Sequence, residues 1–163
     1  MAMIFGALAA AFALIAEIIV FGLPSLTNPH AGALFDFGAG YSFTTFLSLL
    51  GIALIEEGSK LLFLLSLKRY PFLTKSLFPI GTIGNSVLFG IGFWLPEAAL
   101  AEMSSAFSVS LLATLALHVT TSICLGFLLK NQTKLLPNAA NIWLISAAVC
   151  LHFLYNFLSL SVR

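Results

Sequence analysis

The stretch that decides the fold is MIFGALAAAFALIAEIIVFGL, residues Met3–Leu23, which holds a single charged residue, Glu17. A helix of this length crosses the ~30 Å hydrocarbon core of a bilayer at ~1.5 Å per residue. Four more segments of this kind follow along the chain: Phe43–Leu67, Leu77–Ala101, Ala106–Leu129 and Asn141–Ser161. Because unpaired backbone groups are costly in lipid, all five segments are predicted to be helices. The expected fold is therefore all-α, a polytopic membrane protein whose residues 1–163 form a single bundle of about five transmembrane helices.

The composition agrees with a membrane domain and argues against two other classes of protein. Of the 163 residues, 60% are apolar and 8% are charged, whereas a soluble domain carries about 25% charged residues. The formal net charge is +1 and there is no basic stripe, so a nucleic-acid partner is not expected. Cys124 and Cys150 lie inside apolar segments and predict neither a disulfide framework nor a zinc knuckle.

Basic residues predict the orientation of the bundle. They cluster in the turns after the second and fourth segments, as Lys68, Arg69, Lys75, Lys130 and Lys134. The positive-inside rule places both turns in the cytoplasm, so we expect a cytoplasmic N-terminus and an outer C-terminus in the plasma (inner) membrane. The long loop, residues 24–42, is expected to be a solvated connector on the outside. A cleaved signal peptide is not expected, since the first segment lacks a basic start and contains Glu17.

Three ionisable residues lie within the second segment. A charge at the bilayer centre costs ~2.5–3.5 kcal/mol, so such residues are expected to face the bundle interior and to have a partner or a task. Glu56 and Lys60 are four residues apart and are predicted to pair. Glu57 lies about 100° further round the helix and is predicted to reach a neighbouring helix. A structural ion pair leaves one carboxylate unexplained, which favours a functional role.

Two histidines lie at the middle of the fourth and fifth segments. His118 is followed four residues later by Ser122, and His152 is followed by Asn156. A lone histidine in a membrane often only joins helices, but two at equal depth on different helices favour a shared site. His152 and Asn156 lie on one helix face and are predicted to direct donors at one point, as stabilisation of an oxyanion requires.

Two further glutamates lie nearer the predicted outer surface. Glu97 follows Pro96, which is expected to kink the third helix. Glu97 is either an interfacial acid or part of a site shared with the mid-membrane residues. Glu17 is expected to make a hydrogen bond between helices. The alternative is that it lines a cavity shared with the mid-membrane residues. The sequence thus predicts that Glu56, Glu57, His118 and His152 converge on one pocket that opens outward.

Four short motifs follow one another along the chain. They are Glu56-Glu57-x-x-Lys60, Phe93-x-x-x-Glu97, His118-x-x-x-Ser122 and His152-x-x-x-Asn156. In this order and at membrane depth they resemble the superfamily of CAAX-prenyl proteases and bacteriocin-processing enzymes, most closely its PrsW branch. The resemblance covers residues 56–156, the four-motif core. The wider superfamily has an Arg one position after Lys60 and a His at position 97.

The resemblance implies an intramembrane endopeptidase that acts on a membrane-anchored protein or peptide, such as an anti-sigma factor. It implies that Glu56 or Glu57 is the base, that His118 orients water, and that His152 and Asn156 hold the oxyanion. Lys60, Phe93, Glu97 and Ser122 would support these groups. The oligomeric state is left open.

Two questions of mechanism and class stay open at this point. A metal-free glutamate mechanism is slightly favoured and no cofactor is expected, because no H-E-x-x-H helix is present. The alternative is a zinc ion bound by Glu57, Glu97, His118 and His152. The alternatives to a protease are a transport or proton-binding protein that uses the same cluster, and a non-catalytic adaptor or immunity protein.

Overall fold

The computed structural model describes residues 1–22, 43–69, 81–102, 109–131 and 139–161, and these residues are almost entirely helical. The helices are α1 (Ala2–Glu17), α2 (Phe43–Arg69), α3 (Thr82–Glu102), α4 (Val109–Asn131) and α5 (Ala139–Ser161). A π-helical turn, Ile18–Gly22, continues α1. The predicted all-α bundle is thereby confirmed. The connector at residues 24–42 lies outside the described residues, as do the residues from Leu77 and Ala106 that precede α3 and α4.

The helices pack in a closed ring in the order α1, α3, α4, α5, α2, and α2 also contacts α4 across the ring. Stretches of 18 to 20 residues in α1, α3, α4 and α5 are long and apolar enough to cross a membrane. At 27 residues α2 is the longest helix, but it carries Glu56, Glu57 and Lys60 in its middle turns. All three of these side chains are buried in the bundle.

Polarity is distributed as a membrane requires and opposite to that of a soluble protein. Large apolar side chains lie on the outer surface, among them Ile4, Leu62, Leu112, Trp143 and Leu158. The interior instead contains polar side chains, including Glu57, Lys60, His118, Thr121 and His152. Because lipid solvates the apolar exterior, the charged groups can be tolerated only where other helices enclose them.

Glycines allow α1 and α3 to touch backbone to backbone. A Cβ atom at Gly6 would overlap the backbone carbonyl oxygen of Phe89, and one at Gly92 would overlap that of Met3. Small residues at such contacts are the usual means by which membrane helices approach closely. The contact fixes the position of α3 and therefore of Glu97, which lies further along the same helix.

A second glycine contact joins α3 to α4 beside the site. A Cβ atom at Gly90 would come within 2.8 Å of the His118 carbonyl oxygen. On the other side of α4, the Tyr155 hydroxyl donates to the Ser110 carbonyl oxygen at 3.0 Å and lies 2.7 Å from Thr114 Oγ1. These contacts hold α3 and α5 against α4, and they position its central histidine between the two.

Pro96 lies inside α3, and the helix runs on through it to Glu102. Proline has no backbone N–H, so the carbonyl four residues earlier, that of Gly92, lacks its usual helical donor. The missing hydrogen bond lies beside the close contact of α3 with α1.

Candidate active site

The first element of the site is an ion pair within α2. Lys60 Nζ lies 2.6 Å from Glu57 Oε1, three residues earlier on the helix, and both side chains are almost fully buried. The predicted pairing of Lys60 with Glu56 is therefore wrong. Both spacings bring side chains together on a helix, and here the α4 residues beside Lys60 select the nearer glutamate. As a result Glu56 is not neutralised within its own helix.

Lys60 is hydrogen-bonded through all three of its ammonium protons. Besides Glu57 it contacts His118 Nδ1 at 2.9 Å and donates to Thr121 Oγ1 at 2.9 Å. An ammonium has no acceptor capacity, so His118 Nδ1 must accept, and the hydrogen of that neutral imidazole lies on Nε2. Lys60 therefore fixes the tautomer of a histidine on another helix.

His118 Nε2 faces the carboxylate of Glu97, with both carboxylate oxygens at 3.0 Å. Its ring also packs against Phe93, with centroids 5.0 Å apart, and Lys60 Nζ lies 4.6 Å from the centroid of the same phenyl ring. Phe93 thus covers the cationic and imidazole groups with one apolar face. Lys60, Phe93 and Glu97 therefore all contact the site, and the supporting roles that the sequence predicts for them stay predictions.

His152 of α5 lies between the two adjacent glutamates of α2. Its Nδ1 is 2.7 Å from Glu57 Oε1, and its Nε2 is 3.3 Å from Glu56 Oε2. Its ring centroid is 5.4 Å from that of His118. The prediction that Glu56, Glu57, His118 and His152 come together is confirmed, whereas a shared pocket that opens outward stays a prediction.

The contacts form one continuous chain of ionisable groups. It runs from Glu97 through His118, Lys60, Glu57 and His152 to Glu56. The charged turn of α2 is thus joined directly to α4 and α5, and to α3 through His118. Such a chain can move protons between its ends, because each member is within hydrogen-bond or ion-pair distance of the next.

Both ends of this chain reach a cavity of about 90 Å³ between α1, α2 and α3. Its polar lining consists of Glu17, Glu56 and Glu97, and its apolar lining includes Ala10, Ala13, Leu14, Phe93, Pro96 and Leu100. The volume accommodates several water molecules, and carboxylates supply the partners that such waters need. The place of Glu17 is therefore in the cavity wall, the second of the two alternatives drawn from the sequence.

Asn156 and Ser122 lie close to the cluster along their helices but are not tied to it. Asn156 is half-buried one turn beyond His152, and no hydrogen bond joins it to the chain of ionisable groups among the described residues. Ser122 is fully buried, and its Oγ has no hydrogen-bond partner within the part of the chain that the structure describes. Their roles as oxyanion donor and supporting residue stay predictions.

Thr121 is the residue that the sequence analysis missed. It is fully buried, it accepts from Lys60, and it donates to the His118 carbonyl oxygen at 3.4 Å. A signal was available, because Thr121 follows His118 by three residues and therefore shares its helix face. The four-residue spacing from His118 predicts Ser122 instead, which also lies on that side of the helix.

Among the residues that the structure describes, Glu56, His118 and His152 approach a metal-binding geometry, since their ligand atoms lie within 4.8 Å of one another. Glu57, which the sequence analysis included among the metal ligands, instead holds Lys60 and His152. His152 has the arrangement typical of a zinc ligand, with one nitrogen on a carboxylate and the other facing inward. His118 does not fit, because Nδ1 accepts from Lys60 and Nε2 then carries the hydrogen. A metal would require that bond to break.

Comparison of the chain with protein-family models, with curated proteins and with solved structures finds no match. The likeness to PrsW proteins therefore rests on the four motifs alone, and it enters the functional interpretation as a proposal.

Proposed function

We propose that this membrane protein is an intramembrane endopeptidase, similar to PrsW proteins, that hydrolyses a peptide bond of a membrane-anchored protein or peptide. The observation that carries the proposal is the position of Glu56. Its carboxylate lines a cavity large enough for water and lies 3.3 Å from His152 Nε2. Its Oε2 atom is buried without a hydrogen-bond partner among the described residues. A carboxylate in this position can act as a general base and take a proton from a water molecule.

The first step is attack by water on the scissile carbonyl. Water in the cavity beside Glu56 gives a proton to the Glu56 carboxylate while its oxygen bonds to the carbonyl carbon. The Glu56 carboxylate and the His152 ring nitrogen lie within 4.8 Å of each other, so one water can contact both, while His118 is held by Lys60 and Glu97. The negative charge thereby moves from Glu56 to the carbonyl oxygen.

His152 is the group that stabilises this negative charge in the proposed reaction. While Glu56 is ionised, an Nε2–H of His152 faces that carboxylate. Once Glu56 is protonated, the same N–H can donate to the new oxyanion, while the Glu57 carboxylate at 2.7 Å from Nδ1 holds the ring in place. A preorganised donor of this kind typically contributes 10²–10³-fold to the rate. Asn156 is proposed as a second donor from the following turn.

Collapse of the intermediate completes the reaction. Glu56 returns its proton to the leaving nitrogen, the C–N bond breaks, and a carboxyl and an amine terminus are formed. No step uses a metal or a covalent enzyme intermediate. Lys60 stays outside the reacting atoms, since its three protons are already used, and it acts as a positioning residue through Glu57 and His118.

A transport function is the second candidate, because a chain of ionisable groups can also carry protons. The positions of the two ends of this chain of ionisable groups favour the peptidase. Glu97 and Glu56, its two ends, line the same cavity, so that a proton taken at one end is returned to the same compartment.

The test is reconstitution in liposomes with a single-span substrate tagged at both ends. We expect two fragments, which mass spectrometry identifies, and their loss in Glu56→Gln. Ser66→Ala is the matched α2 control, since its hydroxyl only bonds the carbonyl of its own helix. Proton flux measured with an entrapped dye, without cleavage of any substrate, would replace the peptidase by the transporter. Reporter fusions at residues 1 and 163 test the proposed orientation in the plasma membrane, with a cytoplasmic N-terminus.

A further inference from the structure

The cavity beside Glu56 has three acidic side chains in its wall and no basic side chain among the described residues that line it. The acids come from three helices, as Glu17 of α1, Glu56 of α2 and Glu97 of α3. Glu97 has the N–H of His118 as a partner, and Glu56 faces His152. Glu17 has no cationic counterpart on the described part of the cavity wall.

No cation inside the cluster is free to compensate for these charges. Lys60 is the one Lys or Arg whose side chain the structure describes, and its protons are held by Glu57, His118 and Thr121. Carboxylates gathered within apolar walls stay ionised only where a positive charge comes to them. Glu56 Oε2 is buried and, although it lies 3.3 Å from His152 Nε2, it has no hydrogen-bond partner among the described residues, so it too can accept from a cation that enters the cavity.

The rest of the cavity wall is apolar and leads to the lipid-facing surface. Ala10 and Ala13 leave space beside α1, and Leu14 and Leu100 flank the cavity from α1 and α3. Leu14 is 44% exposed and Leu100 is 55% exposed, so the gap between the two helices faces the region that lipid occupies. An extended chain can therefore approach the cavity from within the bilayer.

We infer that this cavity is a subsite for a basic side chain of the substrate, and that Glu17 is the residue that recognises its charge. Lys and Arg suit the site, because their methylene stems pack on apolar walls while their cationic heads reach polar groups. Bound there, the cation lies beside Glu17 and Glu97, and the peptide bond next to it comes to Glu56. The subsite rests on the proposed peptidase function, and it names the substrates that this site prefers.

The test measures binding and cleavage separately. Single-span peptides carry one Lys, moved stepwise along the span, and each has a matched peptide with Met at that position. Binding to the full-length protein in liposomes is followed by energy transfer from its tryptophans to a label on the peptide. We expect that, at one or two positions, Lys peptides bind about tenfold more tightly than their Met counterparts.

Variants of Glu17 assign that preference to the cavity. Glu17→Gln should abolish the difference in affinity between Lys and Met peptides, whereas Glu17→Asp should keep most of that difference. A wild-type protein that binds both series equally at every position would overturn the inference, and so would a preference that survives Glu17→Gln.

The cleavage readout separates this inference from the proposed function. If Lys peptides bind through Glu17 but no peptide is ever cut, the cationic subsite stands and the peptidase is wrong. If peptides are cut by wild type and not by Glu56→Gln, and Lys brings no advantage in binding, the peptidase stands and the subsite is wrong.

Discussion

Lys60 Nζ pairs with Glu57 Oε1 at 2.6 Å, and this pair distinguishes two adjacent glutamates of α2 by their surroundings. The paired glutamate holds Lys60 and the Nδ1 atom of His152. Its neighbour Glu56 is left to line the cavity. One turn of α2 therefore supplies both a structural carboxylate and a candidate catalytic one, which differ in position by a single residue.

Neutralising each glutamate should therefore have a different effect. Glu56→Gln should reduce cleavage by about 10²–10⁴-fold, because it removes the proposed general base, while thermal unfolding in detergent changes little. Glu57→Gln should instead lower the free energy of unfolding by about 3–5 kcal/mol, because it leaves the buried Lys60 ammonium without its counter-charge. Cleavage and thermal unfolding are measured on both variants. An unstable Glu56→Gln protein beside a stable, inactive Glu57→Gln protein would reverse the two roles.

The Lys60–Glu57 pair can be removed as a unit. Lys60→Met alone should destabilise the fold, since Glu57 is then buried without its cation, and the double variant Lys60→Met/Glu57→Gln should recover much of that loss. The recovered protein should still be poorly active, because His118 no longer has a fixed hydrogen and His152 no longer has its carboxylate. If the double variant cleaves as well as wild type, Lys60 and Glu57 serve stability alone.

Thr121 offers a milder test of the same positioning network. Thr121→Val keeps the shape of the side chain but removes the acceptor of Lys60 and the donor to the His118 carbonyl. We expect a loss of about 1–3 kcal/mol of stability for these buried groups. Thermal unfolding of Thr121→Val measures that loss.

The hydrogen bond from Lys60 predicts the tautomer of His118. Nitrogen-15 NMR of labelled histidines should show His118 with its hydrogen on Nε2 in wild type, and a mixture of tautomers in Lys60→Met. A wild-type His118 with its hydrogen on Nδ1 would contradict the assigned direction of the Lys60 bond.

Metal dependence separates the two chemical mechanisms that the sequence left open. Because Lys60 occupies Nδ1 of His118, we expect less than stoichiometric zinc in the purified protein and unchanged cleavage after treatment with chelator. Metal content by mass spectrometry and activity before and after chelation are the measurements. Loss of activity on chelation, with recovery on addition of Zn²⁺, would show that Glu56, His118 and His152 bind metal and that the Lys60 contact is broken in the active protein.

The fold and the central ionisable residues of the site could be predicted from the sequence, but their pairing, the part played by Thr121 and the place of Glu17 could not. Segment length and polarity fix five helices, and the cost of a charge in lipid forces Glu56, Glu57, His118 and His152 inward. The partner of Lys60 depends on Thr121 and His118 of another helix, and spacing along α2 cannot reveal those contacts. The same holds for Glu17, which lies in the cavity wall because Gly6 and Gly92 bring α1 against α3.

The glycine contact between α1 and α3 should be the most sensitive packing feature near the site. Gly92→Ala places a Cβ atom on the Met3 backbone and must push the two helices apart. We expect lower thermal stability and weaker cleavage, since Glu17 and Glu97 move with these helices.

Gly58→Ala on α2 is the matched control, because nothing lies within 4 Å of its added Cβ atom. That control should be neutral or stabilising by about 0.5–1 kcal/mol, the usual gain from replacing glycine within a helix. Equal stability and equal cleavage for Gly92→Ala and Gly58→Ala, measured by thermal unfolding and product formation, would mean that α1 and α3 do not pack through these glycines.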